Sequence, residues 1–171
     1  MIRGITEVGV AVRDLPQATR LLVERLGAVA GAVQHFEPYG MAFCMCRVGG
    51  VDGIDFELMA PTTEDGVIAE FLKRRGEGLH HIGFAVDDVA ATQAKLGGRG
   101  LQFVQSVPKR HRIVIDDSRG VAFDEEVAFT FSRPDSLLGM LLEFIQYPPG
   151  FSVRGEAAAT IPAQAPQGEA S

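Results

Sequence analysis

The chain's 171 residues, 46% hydrophobic and 22% charged, suffice for one domain with a substantial core and exclude a natively disordered protein. A formal net charge of −6 excludes phosphate-backbone binding as the main task, because that needs a basic face to displace counterions. Two cysteines two positions apart exclude a disulfide framework, and neither a signal peptide nor a membrane-length apolar run is visible, so a cytoplasmic protein with no nucleic-acid or membrane partner is expected.

In chain order, residues 5–12 alternate as a strand, and Asp14 followed by Leu15-Pro16 supplies a helix N-cap with proline in the first turn. The helix is predicted to run to Leu26 and to close on Gly27. Three β-rich stretches follow, at 29–35, 40–48 and 53–59. Cys44 and Cys46 fall on one face of the second and read as small buried apolar residues, not as soft-metal ligands. A short linking helix over 64–74 carries Ile68, Phe71 and Leu72 as its apolar stripe. The second half repeats the plan. A strand spans 80–86, Asp87 or Asp88 caps a helix ending at Gly97-Gly98, and β-rich stretches follow at 101–106, at 111–115 with 127–132, and at 139–146. The single basic run, Lys109-Arg110-His111-Arg112, reads as a solvated loop, with contact to an anionic ligand such as a phosphate as the alternative. After Pro148-Pro149-Gly150 the periodic apolar residues stop, and residues 151–171 are expected to be a flexible tail.

The two halves are related in sequence as well as in plan. At an offset of 74, Gly9, Ala11, Val12 and Asp14 fall on identical residues at Gly83, Ala85, Val86 and Asp88. At an offset of 86, Ala42-Phe43 falls on Ala128-Phe129, Arg47 on Arg133, Gly53 on Gly139, and Glu57 on Glu143. The difference of 12 marks an insertion, placed at 109–124, which predicts a longer hairpin or loop in the second copy. The expected fold is therefore α+β: two tandem βαβββ modules enclosing one central site within a single domain, residues 1–150. Module one covers 1–62, the linking helix 63–76, and module two 77–147.

Strand alternation shows where a site can form, because successive side chains point to opposite faces. Val8, Val10 and Val12 should pack under the first helix, leaving Glu7, Gly9 and Ala11 on the other face. In the second copy Ile82, Phe84 and Val86 take the core face and leave His81, Gly83 and Ala85 opposite. One polar residue followed by two very small ones, twice, leaves empty volume above a polar floor, as in a ligand cavity. On the closing strands Asp55, Glu57 and Met59 oppose Phe56 and Leu58, while Leu141, Glu143 and Ile145 oppose Leu142 and Phe144. Burying an ionised Glu143 among these apolar neighbours is costly unless it is paired or metal-bound. His80 faces the other way and reads as structural.

The run Gly76-Glu77-Gly78-Leu79-His80-His81-Ile82-Gly83-Phe84-Ala85-Val86-Asp87-Asp88, with Phe56-Glu57-Leu58-Met59-Ala60-Pro61 upstream, resembles the methylmalonyl-CoA epimerases and their glyoxalase-like relatives in the vicinal-oxygen-chelate superfamily. The resemblance covers residues 5–147 apart from the insertion. It implies a cupped mixed sheet, a homodimer, and a divalent metal held between the modules by Glu7, Glu57, His81 and Glu143. Glu7 departs from the epimerase pattern, which has histidine there, so it is either a carboxylate ligand or a sign that the metal has been lost. Three carboxylates and one imidazole favour a hard or borderline ion, Mn²⁺, Mg²⁺, Co²⁺ or Fe²⁺, with Zn²⁺ also in range. The implied activity is epimerisation or isomerisation of an acyl-CoA or similar oxo acid by enolate stabilisation, with Glu143 and Glu57 moving the proton. A glyoxalase-like lyase is one alternative, and a non-catalytic small-molecule trap of the same fold is another. A ring-cleaving iron dioxygenase normally needs two histidines and one carboxylate, and one suitable histidine is present.

Overall fold

The computed structural model describes the backbone of residues 1–50, 53–116 and 122–148, and the side chains of these except 113–116 and 122–124. The expected tail, 151–171, lies outside the described residues. Module one consists of β1 (Ile2–Ala11), α1 (Leu15–Leu26), β2 (Val29–Ala30), β3 (Gln34–Phe36), β4 (Met41–Val48) and β5 (Ile54–Pro61). After α2 (Val67–Arg75), module two follows with β6 (Gly78–Val86), α3 (Val89–Gly97), β7 (Lys109–Asp116), β8 (Ala122–Phe131) and β9 (Leu142–Gln146). The strands join in one mixed nine-stranded sheet ordered β2-β4-β5-β1-β6-β9-β8-β7, with β3 on β4. The order reads the same outward from the β1–β6 seam in both directions. The two modules meet there as antiparallel first strands, and each first strand pairs in parallel with its own module's last.

Local chemistry explains the helices. The Asp14 carboxylate accepts from Gln17 N and the Asp88 carboxylate from Ala91 N, so the Asp14/Asp88 identity in the repeat is a pair of N-caps. Asp87 does not cap; it pairs with the N-terminal amine at 3.0 Å and with Arg3. Gly27 closes α1 in the left-handed conformation, φ 65°, which costs glycine little. Leu15, Ala18 and Leu22 of α1 then pack on Val12, Cys44, Cys46 and Leu58. Under α3, Val89 meets Val86, Leu142 and Phe144. Each fully buried aliphatic or aromatic side chain contributes about 1.5–3 kcal/mol, and these two clusters hold the outer layer on the sheet. Cys44 and Cys46 are 1% and 0% exposed, as small core residues should be.

Several expectations are corrected. The stretch 101–106 forms no strand; it touches the sheet through one bridge, Phe103 to Ser132, because Gln102 and Gln105 spend their polar groups on neighbouring loops and strand ends. The stretch 29–35 divides into β2 and β3. The last strand starts at Leu142, after a turn in which Leu138 and Gly139 both have positive φ. The basic run lies in β7, not in a loop: Lys109 to Arg112 pair with Phe129 to Glu126. The insertion is a hairpin extension. Phe36 pairs with Met41 across the first-module turn, and its counterpart His111 pairs with Val127 at the base of a longer β7–β8 arm. Among the described residues no helix is long and apolar enough to cross a membrane.

Candidate metal centre and cavity

Two neighbouring rungs of the sheet build the floor of a cavity. On one, Gly83 of β6 lies between Glu7 of β1 and Glu143 of β9; on the other, Gly9 of β1 lies between Glu57 of β5 and His81 of β6. A Cβ on Gly9 would meet the His81 ring and one on Gly83 the Glu7 carboxylate, so each glycine keeps open the space that its neighbour across the β1–β6 seam occupies. His81 Nε2 is 3.1 Å from Glu143 Oε2 and 3.5 Å from Glu57 Oε2. One donor atom each from Glu7, His81 and Glu143 lie within 4.8 Å of one another. Glu57 stands beside this trio and touches it through His81. All four sequence-expected side chains therefore come together, three of them tightly.

Burial dominates the electrostatics. Desolvation raises the Glu7 carboxyl to about 7, with the Glu143 charge adding to it and His81 opposing. It raises Glu57 to about 8, where His81 opposes and Glu7 and Glu143 reinforce, and it raises Glu143 to about 8. Three ionised carboxylates so close and so dry need a compensating cation. His81 Nε2 is buried and makes no hydrogen bond of acceptable geometry, although two carboxylates are near it. An orphaned imidazole nitrogen facing carboxylates is what a divalent ion would satisfy, so the residues fit the metal that the donor set implies.

The sequence reading missed two further groups, His80 and Tyr147, and placed a third, Asp55, on the face that Glu57 shares. His80 does not face away from the site. Gly9 pairs with His81 and Val10 with Leu79, so His80 is the extra residue of a β-bulge, and the bulge turns it toward the cavity. Its Nδ1 lies 3.0 Å from His81 Nδ1, and burial holds its pKa near 4. A neutral His80 accepting the His81 Nδ1 proton leaves the lone pair of His81 Nε2 for the floor. Strand periodicity carries no sign of a bulge. Tyr147, by contrast, continues the alternation Leu141, Glu143, Ile145 and was legible; its hydroxyl donates to Glu7 Oε2 at 3.2 Å. Asp55 reaches the cavity floor but is engaged at 3.0 Å by the buried Arg47. Above the floor the cavity measures about 360 Å³, and its walls come from β4, β5, α2, β8 and β9.

Known proteins resemble this chain in sequence and in fold. An Ethylmalonyl-CoA/methylmalonyl-CoA epimerase from Cereibacter sphaeroides is 31% identical over 107 residues, 62% of this chain and 78% of the relative. The mitochondrial methylmalonyl-CoA epimerase of Mus musculus is 28% identical over 143 residues, 83% of this chain and 72% of the relative. An uncharacterised Bacillus subtilis protein, YqjC, is 24% identical over 106 residues, 62% of this chain and 74% of the relative. The crystal structure of methylmalonyl-CoA epimerase from Mycobacterium tuberculosis superposes with a TM-score of 0.72 at 26% identity, covering 86% of this chain and 90% of that one. A variant of the Streptomyces coelicolor methylmalonyl-CoA epimerase in complex with 2-nitronate-propionyl-CoA gives 0.70 at 25% identity, covering 85% of this chain and 98% of that one. With the family profile matching residues 6–123, the chain belongs to the Glyoxalase/Bleomycin resistance protein/Dioxygenase superfamily, and within it resembles methylmalonyl-CoA epimerases in sequence and structure.

Proposed function

We propose that the chain is a metal-dependent epimerase or isomerase that moves the α-proton of an acyl-CoA or a similar oxo acid. The observation that carries this reading is the convergence of Glu7, His81 and Glu143 donors within 4.8 Å on a buried floor, around an imidazole nitrogen that makes no hydrogen bond among the described residues. Glu7, Glu57, His81 and Glu143 would hold the divalent metal. When bound, such an ion supplies Lewis acidity to a substrate carbonyl and so acidifies the neighbouring carbon.

The remaining work belongs to the chain's own groups. Glu57 on β5 and Glu143 on β9 approach His81 from the two outer strands of the four that form the floor, at 3.5 and 3.1 Å. Two carboxyl groups on opposite flanks of one centre suit removal of a proton from one face and its return on the other. A carboxylate desolvated among apolar side chains is also a stronger base than one in water. Tyr147 holds Glu7 by its Oε2 and keeps that side chain out of the proton relay. His80 and the bulge fix the imidazole.

The test is exchange in D₂O. Protein loaded with Mn²⁺ or Co²⁺ should exchange the α-proton of acyl-CoA thioesters, and chelator-treated protein should not. Glu57→Gln and Glu143→Gln should each lower exchange by the roughly 10²–10⁴-fold typical of a lost general base, with metal content measured on the same samples. Loaded protein that exchanges no α-proton across a broad panel of thioesters and 2-oxo acids overturns the reading in favour of a non-catalytic trap.

A further inference from the structure

The floor of the cavity carries the carboxyl groups of Glu7, Glu57 and Glu143, beside Asp55, which Arg47 neutralises, whereas Lys109 is the only Lys or Arg lining the cavity among the described residues. Lys109 is remote from the floor. Its Nζ donates to the Tyr39 hydroxyl at 3.1 Å and lies 5.0 Å from the centroid of that ring. Three aromatic rings span the gap. Phe131 meets His81 edge-on at 5.8 Å, Phe129 meets Phe131 at 5.9 Å, and Tyr39 meets Phe129 at 6.4 Å. From module one, Met45 and Met59 bring flexible thioethers to the same cavity.

Such a wall and such a floor select on two properties. A reacting end with its own carboxylate would arrive beside the three glutamates, and Arg47, the cation nearest the floor among the described residues, is already paired with Asp55. Even a divalent ion leaves the floor with one negative charge in excess, and in a dry site like charges repel strongly. A short acyl head would also leave Phe129, Phe131 and the thioethers against water, forfeiting the burial that gives an apolar pocket its affinity.

We propose that the cavity selects a substrate whose reacting end offers two adjacent uncharged oxygens and whose body is bulky and apolar, an aromatic ring or branched chain, over a short dicarboxylic acyl group. This rests on the epimerase reading and names its substrate class. Rings stack edge-on or offset against Phe129 and Phe131.

Four small probes separate bulk from charge while keeping two adjacent oxygens: 2-hydroxyacetophenone, mandelate, hydroxyacetone and lactate. Each is titrated calorimetrically into the full chain, once after chelator treatment and once loaded with Mn²⁺. The ring should be worth about ten- to a hundredfold over a methyl group in both states, and the neutral aromatic probe should bind tightest of the four in the Mn²⁺-loaded protein, where the metal holds the glutamates ionised. Phe129→Ala should remove most of that advantage, narrowing the gap between 2-hydroxyacetophenone and hydroxyacetone; Phe129→Leu, which keeps the wall filled, is the second variant and should reduce it about threefold. Lactate binding the loaded protein as tightly as 2-hydroxyacetophenone overturns the proposal, as do four equal affinities or no binding of the neutral aromatic probe at millimolar concentration. Proton exchange is scored separately. Exchange on a short dicarboxylic thioester, with the probe order lost, refutes the selectivity and keeps the epimerase reading; the probe order without any exchange does the reverse.

Discussion

Gly9 and His81 face each other across the β1–β6 seam, and a Cβ on Gly9 would overlap the imidazole ring. The same relationship recurs on the next rung, where a Cβ on Gly83 would lie 2.5 Å from Glu7 Oε1. The glycine identity between the two halves of the chain thus has a physical cause. Each module's first strand gives up a side chain so that the other module's polar residue can lie flat on the floor.

Gly9→Ala should therefore act at the centre without altering any polar group. Overpacking of this kind costs typically about 1–3 kcal/mol, and the displaced ring carries His81 Nε2 away from Glu143. The expected result is a lowered melting temperature together with at least tenfold weaker Mn²⁺ or Co²⁺ binding by calorimetry. A stable Gly9→Ala protein with unaltered metal affinity would place His81 outside the centre.

His80 is the second target. Groups that hydrogen-bond a metal-bound imidazole typically contribute 10- to 100-fold in affinity. His80→Ala should weaken metal binding by that order while leaving the fold intact, and His80→Asn, which keeps an acceptor, should recover part of it. ¹⁵N chemical shifts of the His81 ring report the mechanism directly: the wild-type ring should carry its proton on Nδ1, and the Ala variant should show a mixture. An unchanged tautomer with unchanged affinity would make His80 a packing residue.

Much of this arrangement was legible in the sequence because it repeats. The identities Gly9/Gly83, Asp14/Asp88 and Glu57/Glu143 became, respectively, two seam cradles, two helix caps and two flanking carboxylates. What stayed hidden depends on pairing between distant strands. The bulge at His80 is a register shift between β1 and β6, and local periodicity records only which residues alternate. The basic run became a strand because 122–131 lies across from it, a nonlocal fact that its own polar composition obscures. Arg47 and Arg133 show the limit of the repeat itself: Arg47 is buried against Asp55, whereas Arg133 is exposed and pairs with its near neighbour Asp135.

The raised carboxyls predict an unusual pH response of metal-free protein. Folded values of about 7 for Glu7 and about 8 for Glu57 and Glu143 exceed the ordinary 4.5, so the folded state binds more protons than the unfolded state between these limits. Stability should be fullest at the acid end of that window and fall as pH rises toward 8, by about 1.4 kcal/mol per pH unit for each carboxyl that is protonated only in the folded state. Below 6.5 the trend is opposed by His80, whose low pKa means that unfolding takes up a proton. The clean window is pH 6.5–8. Melting curves in chelator should shift downward across it, and saturating Mn²⁺ should abolish or invert the slope, because the ligands must then be ionised. A chelator-treated protein equally stable at pH 6.5 and 8 contradicts a floor of desolvated, protonated carboxyls.

Glu7 is the one floor residue at which this chain departs from the epimerase pattern. Its carboxylate is buried, accepts from Tyr147 at 3.2 Å, and lies within 4.8 Å of the donor atoms of His81 and Glu143. Replacing it with histidine removes one negative charge from a floor that holds three and substitutes an imidazole for a hard oxygen donor. Both changes favour borderline ions over hard ones. Glu7→His should therefore bind Zn²⁺ and Co²⁺ more tightly and Mg²⁺ more weakly, so the ratio of Co²⁺ to Mg²⁺ affinity should rise by at least tenfold. The same substitution relieves the burial of a third carboxyl, so the chelator-treated variant should also lose part of the stability decline between pH 6.5 and 8. Two independent readouts then bear on one residue. If the affinity ratio is unchanged while the pH response flattens, Glu7 is a buried carboxyl near the centre and not a ligand of it; if both are unchanged, Glu7 takes no part in the site.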